Sequence, residues 1–214
     1  MASEVDICNT ALAHLGSDAA ISSIDPPDGS TEAGYCRRFY PIARKEMIEA
    51  FAWRFAQKRL LLAEVDNPSR AWSYAYALPS DCVRPLRVLT AEQDRWFALE
   101  YERTGSPVST LFDDSKSAAY EVEDGILYTH EPQAVLLYLR DVVDTTRFTP
   151  GFVAGLSYLL ASYLAGPLVR GGEGVQTGQG YRQQAMQIGG NAAAFSANAS
   201  SDDGTFVASH MAVR

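Results

Sequence analysis

The chain is poor in the residues that most often carry chemistry. Its 214 residues include only three cysteines (Cys8, Cys36 and Cys82) and three histidines (His14, His130 and His210). No Cys-x-x-Cys pair occurs, and no histidine has metal-ligand spacing to a cysteine or another histidine. That excludes a disulfide framework and a zinc site, and reduced thiols in a cytosol are the simple reading. Positive charge is also short. Lys and Arg total 18 against 26 Asp and Glu, for a net charge of −8 and a pI of about 4.9. Wrapping a nucleic acid by phosphate neutralisation needs the opposite balance. The opening Met1-Ala2-Ser3-Glu4-Val5-Asp6 lacks a basic region and an apolar region, so no signal peptide is expected.

Catalytic motifs are missing as well. Gly155-Leu156-Ser157-Tyr158-Leu159 is no nucleophile elbow, because leucine stands where the second glycine belongs. The glycines at 171, 172, 174, 178 and 180 lack the order of a phosphate-binding loop. Paired carboxylates exist, as Asp113 with Asp114 and Glu121 with Glu123, but acids adjacent in a loop or alternating on a strand are ordinarily solvated. No cofactor or metal is expected, and the chain does not read as an enzyme.

What is present is apolar pattern. Hydrophobic residues make up 47% of the chain, enough for a sizeable core in one domain. Val5, Cys8, Leu12 and Leu15 predict a first helix over 4–15, with Ser3 as N-cap and Gly16 as stop. A second helix should start at Ser30 or Thr31 and bury Cys36, Phe39, Tyr40, Ala43, Met47, Ala50 and Phe51. Pro41 should kink it. Arg37, Arg38, Arg44 and Lys45 fall largely on its other side.

The period changes after Trp53. Short β-rich runs follow at 72–78, 86–89, 96–101, 118–122, 126–128 and 135–139, with Asp124-Gly125 as a hairpin turn. Helical pattern returns with Thr149-Pro150 as N-cap and N1. The stretch 148–169 carries no charge and holds a G-x-x-x-G at Gly151 and Gly155, yet its Thr, Ser, Gly and Pro content favours a buried bundle helix over a membrane span. A fourth helix is expected over 175–197, weakened by glycines. The small and polar residues 198–214, around Phe206, Val207 and Met211, read as a flexible arm or one that folds on a partner.

The expected architecture is α+β and mainly α. It is a four-helix bundle with a small antiparallel sheet inserted between helices two and three, plus a flexible C-terminal arm. The bundle's first half spans 1–59, the β-rich insertion 60–143, the second half 144–197 and the arm 198–214.

Three motifs then point one way. They are Asn9-Thr10-Ala11-Leu12-Ala13-His14-Leu15-Gly16, Phe51-Ala52-Trp53-Arg54-Phe55-Ala56, and Tyr76-Ala77-Leu78-Pro79-Ser80-Asp81. An "N-x-A-L-x-x-L-G" helix, a second helix closing on "F-x-W-x-F-A" and a "Y-x-L-P-x-D" step resemble the tail tubular protein A family, the head-to-tail adaptors of short-tailed bacteriophages. The resemblance implies a ring subunit, typically one of twelve, that joins the portal protein to the tail nozzle protein and lets DNA pass through the channel. It implies a place in the virion neck after assembly in the host cytoplasm, with no membrane partner. An acidic balance suits a channel in which DNA must slide. Arg37, Arg38, Arg44 and Lys45 become candidate interface bases, and Phe206, Val207 and Met211 the contacts of an arm that binds the portal or a neighbouring subunit.

Two other readings stay open at this point. A tail-associated peptidoglycan hydrolase would draw on Glu121, Glu123 or Glu131. A DNA-binding module would use Arg37, Arg38, Arg44, Lys45, Arg54, Lys58 and Arg59.

Overall fold

A computed structural model of the chain describes residues 2–90, 93, 117–169 and 172–198. In chain order its elements are α1 (Glu4–His14), α2 (Thr31–Ala50), β1 (Gln57–Leu61), β2 (Glu64–Val65), β3 (Tyr74–Ala77), β4 (Cys82–Leu89), β5 (Tyr120–Glu123), β6 (Ile126–Thr129), β7 (Val135–Arg140), α3 (Pro150–Leu168) and α4 (Gly172–Asn198).

Local chemistry sets the helix starts. Ser3 Oγ accepts from the Asp6 amide at 3.1 Å and Asp6 Oδ2 accepts from the Ser3 amide at 2.8 Å, so two orphan donors of α1 are satisfied reciprocally. Ser30 Oγ accepts from the Ala33 amide at the start of α2, and Thr149 Oγ1 from the Phe152 amide at the start of α3. Gly16, at φ 71°, takes the left-handed turn that ends α1. Helix α2 runs on through Pro41, which faces solvent.

Helix α3 is the centre of the helical layer and packs on α1, α2 and α4. Among the described helices only α3 is long and apolar enough to cross a membrane. Phe152, Leu156, Leu159, Leu160 and Leu164 are nevertheless buried against the other helices and the loop aromatics. Its G-x-x-x-G pair serves this packing. A Cβ on Gly151 would stand 2.4 Å from Ala192 Cβ, and Gly155 lies against Ala185 and Gly189, so α3 and α4 cross at backbone distance.

The strands form two antiparallel sheets, ordered β1-β7-β4 and β2-β3-β6-β5. This corrects the expected fold, which had one small sheet inserted into a four-helix bundle. The cause lies in β7, buried on both faces. Leu139 joins Trp53, Val142, Phe148 and Phe152 in the helical core. Leu136 and Tyr138, on the opposite face, join Leu62, Tyr76, Val88 and Leu127 in a second core. The three-stranded sheet is therefore a middle layer, with helices on one side and the four-stranded sheet on the other. Its first strand begins at Gln57, before the expected boundary at residue 60. Most other short runs fall where expected, including the β5–β6 hairpin, in which Glu123 pairs with Ile126 across Asp124 and Gly125, both at positive φ. The run expected at 96–101 lies outside the described residues.

Candidate functional site

The four cations of the basic stretch of α2 have different environments. Arg37 is exposed and lies 3.5 Å from Asp25. Arg38 is exposed and makes no ion pair among the described residues. Lys45 is exposed, with Nζ 3.7 Å from Asp141. Arg44 is only 6% exposed. Its Nε and one terminal nitrogen donate to the two oxygens of Asp141, both at 3.1 Å, and its guanidinium lies over the Tyr40 ring. A desolvated bidentate pair of this kind fixes geometry. Asp141 follows β7 directly, so the pair fastens α2 to the end of the central strand. Arg37, Arg38 and Lys45 are left as the outward-facing bases.

The second cluster of cations belongs to the sheets. Lys58 on β1 donates to Asp81 Oδ2 at 3.0 Å, and the Tyr138 hydroxyl donates to Asp81 Oδ1 at 2.7 Å. Burial pushes the Asp81 carboxyl up, but the bonds from Tyr138 and Lys58 outweigh it and hold the group below its ordinary value. The bond to Asp81 raises Lys58 in turn. Arg54 is half-buried and Arg59 exposed.

Trp53 marks the junction of helices and sheets. Its indole N–H donates to the Met47 carbonyl at 2.7 Å, and its ring meets Phe152 edge-on with centroids 5.0 Å apart. Phe51, Phe55 and Phe148 complete the aromatic cluster. The other two motifs are equally structural. Asn9 clamps the loop after α1 through both its amide groups. Its Nδ2 donates to the Ile21 carbonyl at 3.0 Å, and its Oδ1 accepts from the Ile21 amide at 2.8 Å. Tyr76 donates to the Glu131 carbonyl, and Asp81 holds Lys58 and Tyr138 as described.

The residues for hydrolysis are not assembled into a reactive set. Glu121 and Glu123 alternate on exposed β5, and Glu121 accepts from the Trp72 indole at 2.9 Å. Glu131 lies past the end of β6. One pairing was hidden in the sequence: His14 and Ser157, 143 residues apart, with His14 Nε2 3.2 Å from Ser157 Oγ. The Ser157 hydroxyl donates to the Ala154 carbonyl at 2.8 Å, so its oxygen accepts from the imidazole. Ser157 is buried, His14 stacks on Tyr158, and desolvation lowers the histidine's pKa. This is a packed polar contact with no activated serine. Among the described residues no group of three or more His, Cys, Asp or Glu is placed to hold a metal ion. Phe206, Val207, Met211, His210, Asp113 and Asp114 lie outside the described residues.

No protein-family model matches the chain, and no curated protein matches it.

Proposed function

We propose that the chain is a head-to-tail connector subunit of a short-tailed bacteriophage. Copies of it form a ring, of twelve on the family's pattern, that binds the portal protein on one side and the tail nozzle protein on the other. DNA passes through without sequence-specific contact. One observation carries the reading: the motifs behind the resemblance fall at the joints of the fold. Asn9 clamps the exit of α1, Trp53 closes α2 against α3, and Asp81 ties the starts of β1 and β4 to β7. Motifs used as joints specify an architecture, which is what a resemblance in packing residues should report. The net charge of −8 also suits a surface that must release DNA.

The test is direct imaging of the purified chain by negative-stain electron microscopy, alone and mixed with the portal protein of the same virus. A closed ring in either sample, coaxial with the portal in the second, is the expected result. A chain that stays monomeric with its portal at high concentration would sink the reading.

A further inference from the structure

We propose that copies of this chain join by edge-to-edge strand pairing, β1 of one copy bonding to β5 of the next. Each described sheet has two edge strands, β1 and β4 in one and β2 and β5 in the other. An open edge is a template for pairing with another chain, and folded proteins ordinarily blunt it with a proline, a bulge or a very short strand. Two of the four edges are blunted in that way. Strand β4 carries Pro85 and two register shifts, and its Val88 bridges to Ala118. Strand β2 is two residues long. Strands β1 and β5 have no proline and keep an unbroken register against β7 and β6. No described strand pairs with their outer sides. They also carry three of the seven exposed large hydrophobic side chains among the described residues, Leu60, Leu61 and Val122, so apolar exposure concentrates on the same two edges.

Charge selects which edges meet. Strand β1, Gln57-Lys58-Arg59-Leu60-Leu61, holds no acid, and β5, Tyr120-Glu121-Val122-Glu123, holds no base. Lys58 lies against Asp81 yet keeps 39% of its side chain exposed, and both glutamates are exposed. Opposite charges across a strand pair stabilise it, and like charges weaken it. Pairing β1 with β1, or β5 with β5, therefore works against itself, and pairing β1 with β5 does not. The two edges also lie on opposite flanks. The chain passes from β1 through Leu62 and Ala63 into β2, which stands at the far end of its sheet from β5. On the other flank, the Val88–Ala118 bridge and the Tyr120 hydroxyl, 3.5 Å from the Leu86 carbonyl, set β5 beside β4. One molecule thus presents a basic edge and an acidic edge on opposite sides. A contact between unlike patches is heterologous, and it repeats from copy to copy until the series closes into a ring or runs on as a filament. The strand contact stands without the connector function, and its closure into a ring rests on that function.

The test uses the full chain in a Cys82→Ser background, because Cys8 and Cys36 are buried. Leu61→Cys and Val122→Cys, both at exposed positions, are made singly and together and treated with a short bifunctional maleimide, with and without the portal protein. The double variant is expected to give a ladder of crosslinked multimers. Each single variant alone should stay monomeric, and an equal mixture of the two should give dimers and nothing larger. A dimer from one single variant would mean that like edges meet, and overturns the proposal. The absence of a ladder overturns it as well. In that case negative-stain images of the untreated parent with its portal separate the two readings. A ring leaves the connector reading standing on some other lateral contact, and no ring removes both. Thermal unfolding confirms the fold of each variant, and Leu60→Cys replaces Leu61→Cys if that chain is unstable.

Discussion

Arg44 and Asp141, 97 residues apart in the chain, face each other through two parallel hydrogen bonds of 3.1 Å. The pair holds α2 against the point where the chain leaves β7. Removing one member of a buried pair leaves the other desolvated and unmatched. Arg44→Ala should therefore cost about 2 kcal/mol, below the range for a fully buried pair, because Asp141 keeps 21% of its side chain exposed and Lys45 also stands near it. Arg44→Lys keeps the charge and loses the fork, and should recover only part of the loss. Denaturant unfolding of the three chains measures this, and equal stability of the alanine variant and the parent would remove the pair's structural role.

Tyr40 lies beside that pair and presents the opposite case. Its ring is buried, but among the described residues its hydroxyl has no hydrogen-bond partner. Burial raises its pKa, so the group stays neutral. An unsatisfied buried hydroxyl costs about 1–3 kcal/mol. Tyr40→Phe keeps the ring and deletes the cost, and is expected to leave stability unchanged or raise it by about 1 kcal/mol. A loss of more than about 1 kcal/mol in thermal or denaturant unfolding would mean that the hydroxyl has a partner in solution.

How far these features can be read in the sequence depends on the signal each leaves. The caps of α1, α2 and α3 are legible because Ser3, Ser30 and Thr149 precede apolar periods of helical spacing. Strand β1 is hidden because Gln57-Lys58-Arg59 shows no β pattern, and β1 is an edge strand whose residues are mostly exposed. Strand β4 is blurred by Pro85 and by two register shifts that break its alternation. The second sheet did have a signal. Val135 to Leu139 is an unbroken apolar run, as expected of a strand covered on both faces, and such a strand requires a layer on each side. Arg44 corrects the expectation that set it with the outward bases, and its spacing held the signal. It lies four residues after Tyr40, three before Met47 and four before Ile48, and so within the buried stripe of α2. By contrast, nothing local announces that Asp141 will be its partner or that His14 will meet Ser157. Those contacts depend on the topology of the whole chain.

Acid should loosen the middle layer through Asp81. Its carboxyl titrates below the ordinary 3.8 in the folded protein, because the bonds from Tyr138 and Lys58 favour the charged form more than burial opposes it. A lowered folded pKa means the stabilisation is complete above the unfolded value and is lost as pH falls through the folded one. The alkaline limb has the opposite sign. Lys58 is raised above 10.5, so its contribution is full below that pH and fades as pH climbs past it. Asp81→Asn should flatten the stability profile below pH 4 and lower the plateau at neutral pH. Unfolding midpoints measured across pH 2–7 check this, and parallel profiles for the two chains would contradict it.

The crossing of α3 and α4 makes the sharpest packing prediction. Gly151 has no room for a side chain, because a Cβ would lie 2.4 Å from that of Ala192, well inside van der Waals contact. Gly151→Ala must push the helices apart, and overpacking of this kind costs about 1–3 kcal/mol. The usual helix-propensity gain of alanine over glycine is small here, since Gly151 sits in the first turn of α3. Ala192→Gly alone should cost about 1 kcal/mol through propensity. Together the two changes restore the missing space from the other side. The double variant should then be more stable than the sum of the single losses predicts, by about 1–2 kcal/mol of coupling. Additive losses in a double-mutant cycle would show that the helices relax freely at this point. A positive coupling would establish that the G-x-x-x-G of α3 is read by α4 within the protein.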